Sequence, residues 1–391
     1  MPQDWGHLAD RYSRTKPRKL LALDGGGIRG VITLGILKTI EDKLGQKLCD
    51  YFDYIAGTST GAIIAAGLAR GLSVQDLINF YRDVGTEMFQ RTRFLARLNS
   101  LYQNGPLEQK LKAVFGEKTN LRPEYLKTLL LVVTRNITTD SPWPISSNPE
   151  ARYNMPSNQC NLDIPLWKLV RASTAAPIFF PPEVISLDPN DPSKSFVFVD
   201  GGMTPYNNPS FLVFRFATDP AYRLNWAKGE DNMLLISVGT GAAATSGATV
   251  ESPDSNMLTT GIGVPTALMY GASVDQDINC RAIGRCTYGA IIDRELLDMV
   301  PRQGNDDGKV ADRLGRAKVP LDADLGRSFL YARYNADLSA EGLSALGFSN
   351  VDPKDVQKMD DASTDNIDRL LQIGGAAARQ VDMAHFGSFV S

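Results

Sequence analysis

Apolar residues fall along the chain in short runs cut by glycine-rich turns. Leu20–Leu23 is a four-residue apolar run, broken at once by Asp24-Gly25-Gly26-Gly27-Ile28-Arg29-Gly30. Beyond it Ile32, Ile36, Thr39, Ile40 and Leu44 recur at helical spacing, so residues 20–44 read strand, glycine turn, helix. Residues 52–69 repeat that order: an apolar stretch, then Gly57-Thr58-Ser59-Thr60-Gly61, then small apolar residues. TLLLVVT (128–134) and MLLISV (233–238) are continuously apolar, as strands buried on both faces are. An apolar strand ends at Asp200, FLYARYN (329–335) predicts another, and residues 363–380 predict a closing helix with Ser363 or Thr364 as its N-cap. Strands alternating with helices predict an α/β fold, a central and mostly parallel sheet flanked by helices.

Around that core, residues 1–17 are polar and Arg-rich, which predicts a flexible N-terminal arm before a single domain over 18–386. Residues 301–325 are polar and charged and predict a surface loop insertion. Residues 88–102 (MFQRTRFLARLNSLY) set Phe94, Leu98, Leu101 and Tyr102 at helical spacing with Leu95 beside them. Arg91, Arg93 and Arg97 flank that stripe. It suits a helix packed on the sheet, an interfacial helix, or a site for an anionic regulator.

Composition narrows the classes. With 43% hydrophobic residues in 391, the chain can bury a substantial core. A formal charge of −3 provides no global basic field, which argues against a nucleic-acid partner. Cys49, Cys160, Cys280 and Cys286 are too sparse for a disulfide scaffold and read as free thiols of a reducing cytosol. The N-terminus has no secretory apolar region, and no run of 18 apolar residues offers a membrane span. The expectation is a cytoplasmic protein.

Ser59 carries the first chemical signal. Flanking Gly57 and Gly61 permit a tight strand-to-helix elbow that lifts the hydroxyl above the sheet, and the helix N-terminus behind it favours negative charge. The alternative is a capping serine in an ordinary turn. Gly25 to Gly30 reads G-x-G-x-x-G. A dinucleotide site would want an acid at the end of the next strand, and that strand ends in the elbow instead. An oxyanion hole is the other reading, with backbone N–H groups facing developing charge and Arg29 adding to it or anchoring the loop. A ligand-free turn is the third. The two histidines, His7 and His385, lie at the ends, so a Ser-His-Asp triad is disfavoured. Asp200, followed by Gly201-Gly202, is the candidate base, although Asp-Gly is also a common turn pair. It would need a partly dry site, since an ordinary aspartate has a pKa of about 3.9.

Taken in order, DGGGIRG (24–30), GTSTG (57–61), RASTAAPIFFPP (171–182), DGG (200–202), NNP (207–209) and ISVGTG (236–241) resemble the patatin-like phospholipase family. The resemblance runs from about Leu20 to the C-terminal helix, where MDDAS (359–363) joins it. It implies a patatin-like fold and a Ser-Asp dyad in which Ser59 is the nucleophile and Asp200 the general base. Gly26, Gly27 and Arg29 sit at the family's oxyanion hole, with Gly25, Gly30, Gly57, Gly61, Gly201 and Gly202 supporting the motifs. It implies a phospholipase A-type hydrolase acting on a phospholipid or galactolipid, with peripheral membrane contact and neither metal nor cofactor. A variant of that reading is a membrane-degrading effector switched by a cyclic nucleotide or another small regulator. A dinucleotide-binding oxidoreductase and a silent binding module are the rivals. Phe179 and Phe180 line an acyl pocket or pack in the core, and Thr240-Gly241 form another crevice loop.

Overall fold

A computed structural model describes residues 5–12, 16–89, 106–155, 160–177, 180–188, 190–242, 263–290 and 326–390. Nine strands among these form one sheet: β1 (Arg18–Leu23), β2 (Tyr54–Thr58), β3 (Leu129–Asn136), β4 (Ser141–Ser146), β5 (Glu183–Ser186), β6 (Ser195–Asp200), β7 (Met233–Val238), β8 (Arg285–Tyr288) and β9 (Leu330–Tyr334). Their order is β5-β6-β3-β2-β1-β7-β9-β8, with β4 beside β3. From β3 across to β8 every neighbouring pair is parallel, while β4, β5 and β6 join antiparallel on the other side. The expected α/β architecture is therefore present, with an antiparallel edge.

The apolar strands earn their place by burial on both faces. Leu21 and Leu23 of β1 face one hydrophobic layer with Ile32, Ile36 and Ile40 of the helix Gly30–Leu44. Leu20 and Ala22 face the opposite layer with Leu212, Val213 and Phe216 of the helix Ser210–Thr218. Alternation along one strand thus supplies both cores. The closing helix runs Thr364–Ala377 with Ser363 at its N-cap position, though no side-chain cap bond forms there. It crosses Gly30–Leu44 closely, because Gly35 and Gly374 leave backbone against backbone. No described helix is long and apolar enough to cross a membrane.

The N-terminal segment departs from the expected flexible arm over Trp5–Tyr12. Leu8 and Tyr12 are buried, the Tyr12 hydroxyl donates to Asp53 O and accepts from the N–H of Leu129, and Arg11 donates to the carbonyls of Cys49, Asp50, Phe52 and Lys127. The polar composition that suggested a loose arm is there to cap the open carbonyls at the N-terminal ends of β2 and β3. The surface loop expected at 301–325 lies outside the described residues. So does the segment 88–102, apart from Met88 and Phe89 at the end of the helix Val74–Phe89.

Candidate active site

The sheet register brings Ser59 and Asp200 together. Thr58, the last residue of β2, pairs with Val133 of β3, and Asp200, the last residue of β6, pairs with Thr134, the next residue along β3. Because β6 runs antiparallel, its end returns to the level where β2 stops. Ser59 follows immediately in a positive-φ conformation, φ 54° and ψ −123°, and the helix Thr60–Ala69 starts behind it. Few L-residues hold that backbone; here the surroundings impose it. A Cβ on Gly57 would come within 2.1 Å of Gly61 O, and one on Gly61 within 2.3 Å of Leu23 O, so the elbow closes only with glycine at both places. Ser173 Oγ accepts the Ser59 N–H at 2.9 Å and donates to Val133 O at 2.7 Å, which ties the strained turn to β3.

Ser59 Oγ donates to Asp200 Oδ2 at 2.6 Å, with both side chains more than nine-tenths buried. The other carboxylate oxygen accepts the Gly202 N–H at 2.7 Å, which fixes the carboxyl plane. Burial pushes the Asp200 pKa up to about 6, against the pull of the Ser59 and Gly202 hydrogen bonds. Desolvation thus makes this carboxylate a stronger base than an ordinary aspartate. A carboxylate of this basicity is deprotonated at neutral pH and accepts a proton far more readily than an exposed one.

The glycine loop lies beside the elbow. Asn207 O accepts the Gly25 N–H at 3.0 Å and Met359 O accepts the Ile28 N–H at 3.0 Å, which leaves the N–H groups of Gly26 and Gly27 between them. Gly27 has φ 61°, so the chain turns there at little cost. Arg29 is half-buried and burial lowers its pKa to about 10, so it stays charged at neutral pH. Its Nε leans toward Gly26 O at 3.5 Å, which serves the loop-anchoring reading. The loop stands against the elbow, since a Cβ on Gly25 would come within 3.2 Å of Ser59 Cβ.

A cavity of about 160 Å³ opens beside this loop, walled by Arg29, Asn207, Thr240, Tyr270, Tyr288 and Asn335 among others. Thr240 and Gly241 both reach it, as the crevice-loop reading expected. Beneath it Arg333 makes a bidentate pair with Asp24 at 2.9 and 2.6 Å and donates to Ser237 Oγ. Burial works against charge on Arg333, but Asp24 and Asp277 outweigh it and its pKa is raised. The strut spans β1, β7 and β9 and pins the root of the glycine loop.

Sequence reasoning did not find Ser173, Asn207, Ser273 or Arg333. Ser173 and Asn207 stand inside motif blocks whose internal roles local spacing does not reveal. Ser273 and Arg333 come from distant segments with no local pattern at all. Of the two aromatic candidates, Phe180 packs partly buried against the core with Arg171 over its ring, and Phe179 lies outside the described residues. His7 bonds Leu126 O, and His385 bonds the Tyr334 hydroxyl and stacks on Tyr288; neither contacts Ser59.

Comparison with known proteins follows the same line. Residues 21–213 match the family model for patatin, described as patatin-like phospholipase. A cGAMP-activated phospholipase of Vibrio cholerae is 31% identical over 61% of this chain and 67% of that protein. Patatin group M-3 of Solanum tuberosum is 29% identical over 57% of this chain and 60% of its own length. An intracellular phospholipase A2 of Caenorhabditis elegans is 30% identical over 61% of this chain and 21% of that protein. The chain thus spans about two thirds or less of these relatives.

Proposed function

The chain belongs to the patatin-like phospholipase family, and from that premise we propose that it hydrolyses carboxylic ester bonds of glycerolipids through Ser59 and Asp200. The observation that carries the mechanism is the 2.6 Å hydrogen bond between a serine on a strained elbow and a buried aspartate. Ser59 Oγ attacks the acyl carbonyl while its proton passes to Asp200 Oδ2. The N–H groups of Gly26 and Gly27 receive the developing oxyanion, the step at which preorganised donors matter most. Collapse expels the lysolipid oxygen, which takes the proton from Asp200, and leaves an ester on Ser59. Water then repeats the sequence in reverse and releases the fatty acid. The family makes a phospholipid the substrate class, and a galactolipid has the same carbonyl chemistry. Exposed Leu268 and Tyr270, beside cavity-lining Met269, support contact with a lipid surface at the site.

A fluorophosphonate probe should label Ser59 alone. Ser59→Ala should remove hydrolysis of mixed phospholipids and Asp200→Asn should cost at least about a hundredfold, while the double variant His7→Ala, His385→Ala keeps most activity. Full activity in Ser59→Ala would overturn the assignment. Because the Vibrio relative is named for activation by cGAMP, the same assay with and without cGAMP tests the regulated form of this reading.

A further inference from the structure

Among the described residues, Asn207 has a buried side-chain oxygen with no hydrogen-bond partner. The residue is 4% exposed and its Oδ1 is buried and unbonded. The amide cannot be turned around. Nδ2 donates to Ser273 Oγ at 2.9 Å and faces Gly25 O at 3.4 Å, and a carbonyl oxygen can only accept, so nitrogen belongs on that side. The backbone is equally committed, since Asn207 O accepts the Gly25 N–H and Thr58 Oγ1 donates to the adjacent Tyr206 O. The loop therefore holds Oδ1 in place without satisfying it. An orphaned buried acceptor is destabilising and calls for a use.

Its position indicates that use. A Cβ on Gly25 would lie 2.4 Å from Asn207 Oδ1 and 3.2 Å from Ser59 Cβ. A Cβ on Gly202 would lie 2.9 Å from Asn207 Oδ1 and 3.1 Å from Asp200 Oδ1. The orphan oxygen thus shares close neighbours with both members of the pair. Asn207 also walls the cavity beside the glycine loop, whose volume of about 160 Å³ holds several waters.

Resting on the Ser59–Asp200 reading, we propose that Asn207 is a positioning residue for deacylation: its Oδ1 aims the hydrolytic water. Once Ser59 carries the acyl group, Oγ no longer donates and Asp200 Oδ2 is open. A water from the cavity donates one hydrogen to Asp200 and the other to Asn207, which turns its lone pair to the acyl carbon. The water oxygen forms the new C–O bond, its proton passes to Asp200, and the Ser59 Oγ–C bond breaks with Oγ recovering that proton. Acylation needs no water, so Asn207 Oδ1 acts in the second half-reaction alone.

Stopped-flow hydrolysis of p-nitrophenyl butyrate separates the halves, because kcat/KM reports acylation and kcat here reports deacylation. Asn207→Ala should lower kcat by about tenfold or more with kcat/KM nearly unchanged. It should release a burst of one equivalent of p-nitrophenolate and show an acyl adduct on Ser59 by intact mass. Hydroxylamine, which attacks without that orientation, should restore turnover. Labelling of the variant by fluorophosphonate at the wild-type rate reports a folded site; should it misfold, Asn207→Asp, which keeps an acceptor, carries the test by deacylating at nearer the wild-type rate. Equal losses in kcat and kcat/KM, or unchanged kinetics, would overturn the assignment. A wild-type enzyme that never forms the Ser59 adduct would instead overturn the nucleophile reading on which it rests.

Discussion

At the scale of a residue, the chemistry turns on one buried carboxyl. Asp200 is raised to about 6, and the sign of that shift makes two predictions. Catalysis needs the deprotonated form, so kcat/KM for a soluble ester should rise with pH and level above about 6, falling roughly tenfold per unit below it. Stability should run the other way. Between the unfolded value near 4 and about 6 the folded chain holds a proton that the unfolded chain has released, so this site's contribution is present at low pH and lost as pH rises through 6. Asp200→Asn should therefore melt higher than the wild type at pH 8 and lose that advantage at pH 4; calorimetry at the two pH values measures it. The glycine loop makes the complementary case. A Cβ on Gly26 would come within 2.2 Å of Thr240 Oγ1, so Gly26→Ala must move the loop and its donors. Turnover should fall about 10²–10³-fold with KM little altered, and an unchanged kcat would place the oxyanion elsewhere.

At the scale of elements, the closest helix crossing is that of Gly30–Leu44 with Thr364–Ala377. A Cβ on Gly374 would come within 2.4 Å of Ile32 O, backbone that cannot rotate away. Gly374→Val should force the helices apart at a cost of about 1–3 kcal/mol or more, seen as a Tm lower by several degrees. Since the helix Gly30–Leu44 begins at the glycine loop, catalysis should decline with stability. That loop, the elbow and Asp-Gly-Gly were legible in the sequence because each carries its geometric demand within a few residues: glycine where backbone approaches backbone, serine between them, an apolar strand in front. The parallel strands were legible from their unbroken apolar runs. The antiparallel edge was not, because β4 carries Pro142 and Pro144 and β5 is only four residues long. Neither shows the pattern of a buried strand.

At the scale of the whole molecule, what stayed hidden was contact between distant segments. Arg333 holds Asp24, Ser273 holds the Asn207 loop, and the Trp5–Tyr12 segment closes the N-terminal end of the sheet; none of these pairings leaves a local trace. The last yields a prediction. Tyr12 stacks on Trp226 with centroids 5.9 Å apart, and Arg18 lies over the same indole at 4.7 Å. Deleting residues 1–12 should uncover this aromatic layer and free the carbonyls that Arg11 satisfies. The melting temperature should drop by several degrees and ANS binding should rise. The dyad stands at the opposite ends of the strands, so fluorophosphonate labelling per folded molecule should stay near that of the full chain.

The elbow has a consequence for how this protein can change over generations. Holding Ser59 at φ 54° costs about 1–3 kcal/mol, and glycine would adopt the same backbone without that cost. Ser59→Gly should then melt above Ser59→Ala. Drift towards stability and selection for turnover pull in opposite directions at this position. A lineage released from the need to cut lipid would gain a sturdier protein by its first step away from serine.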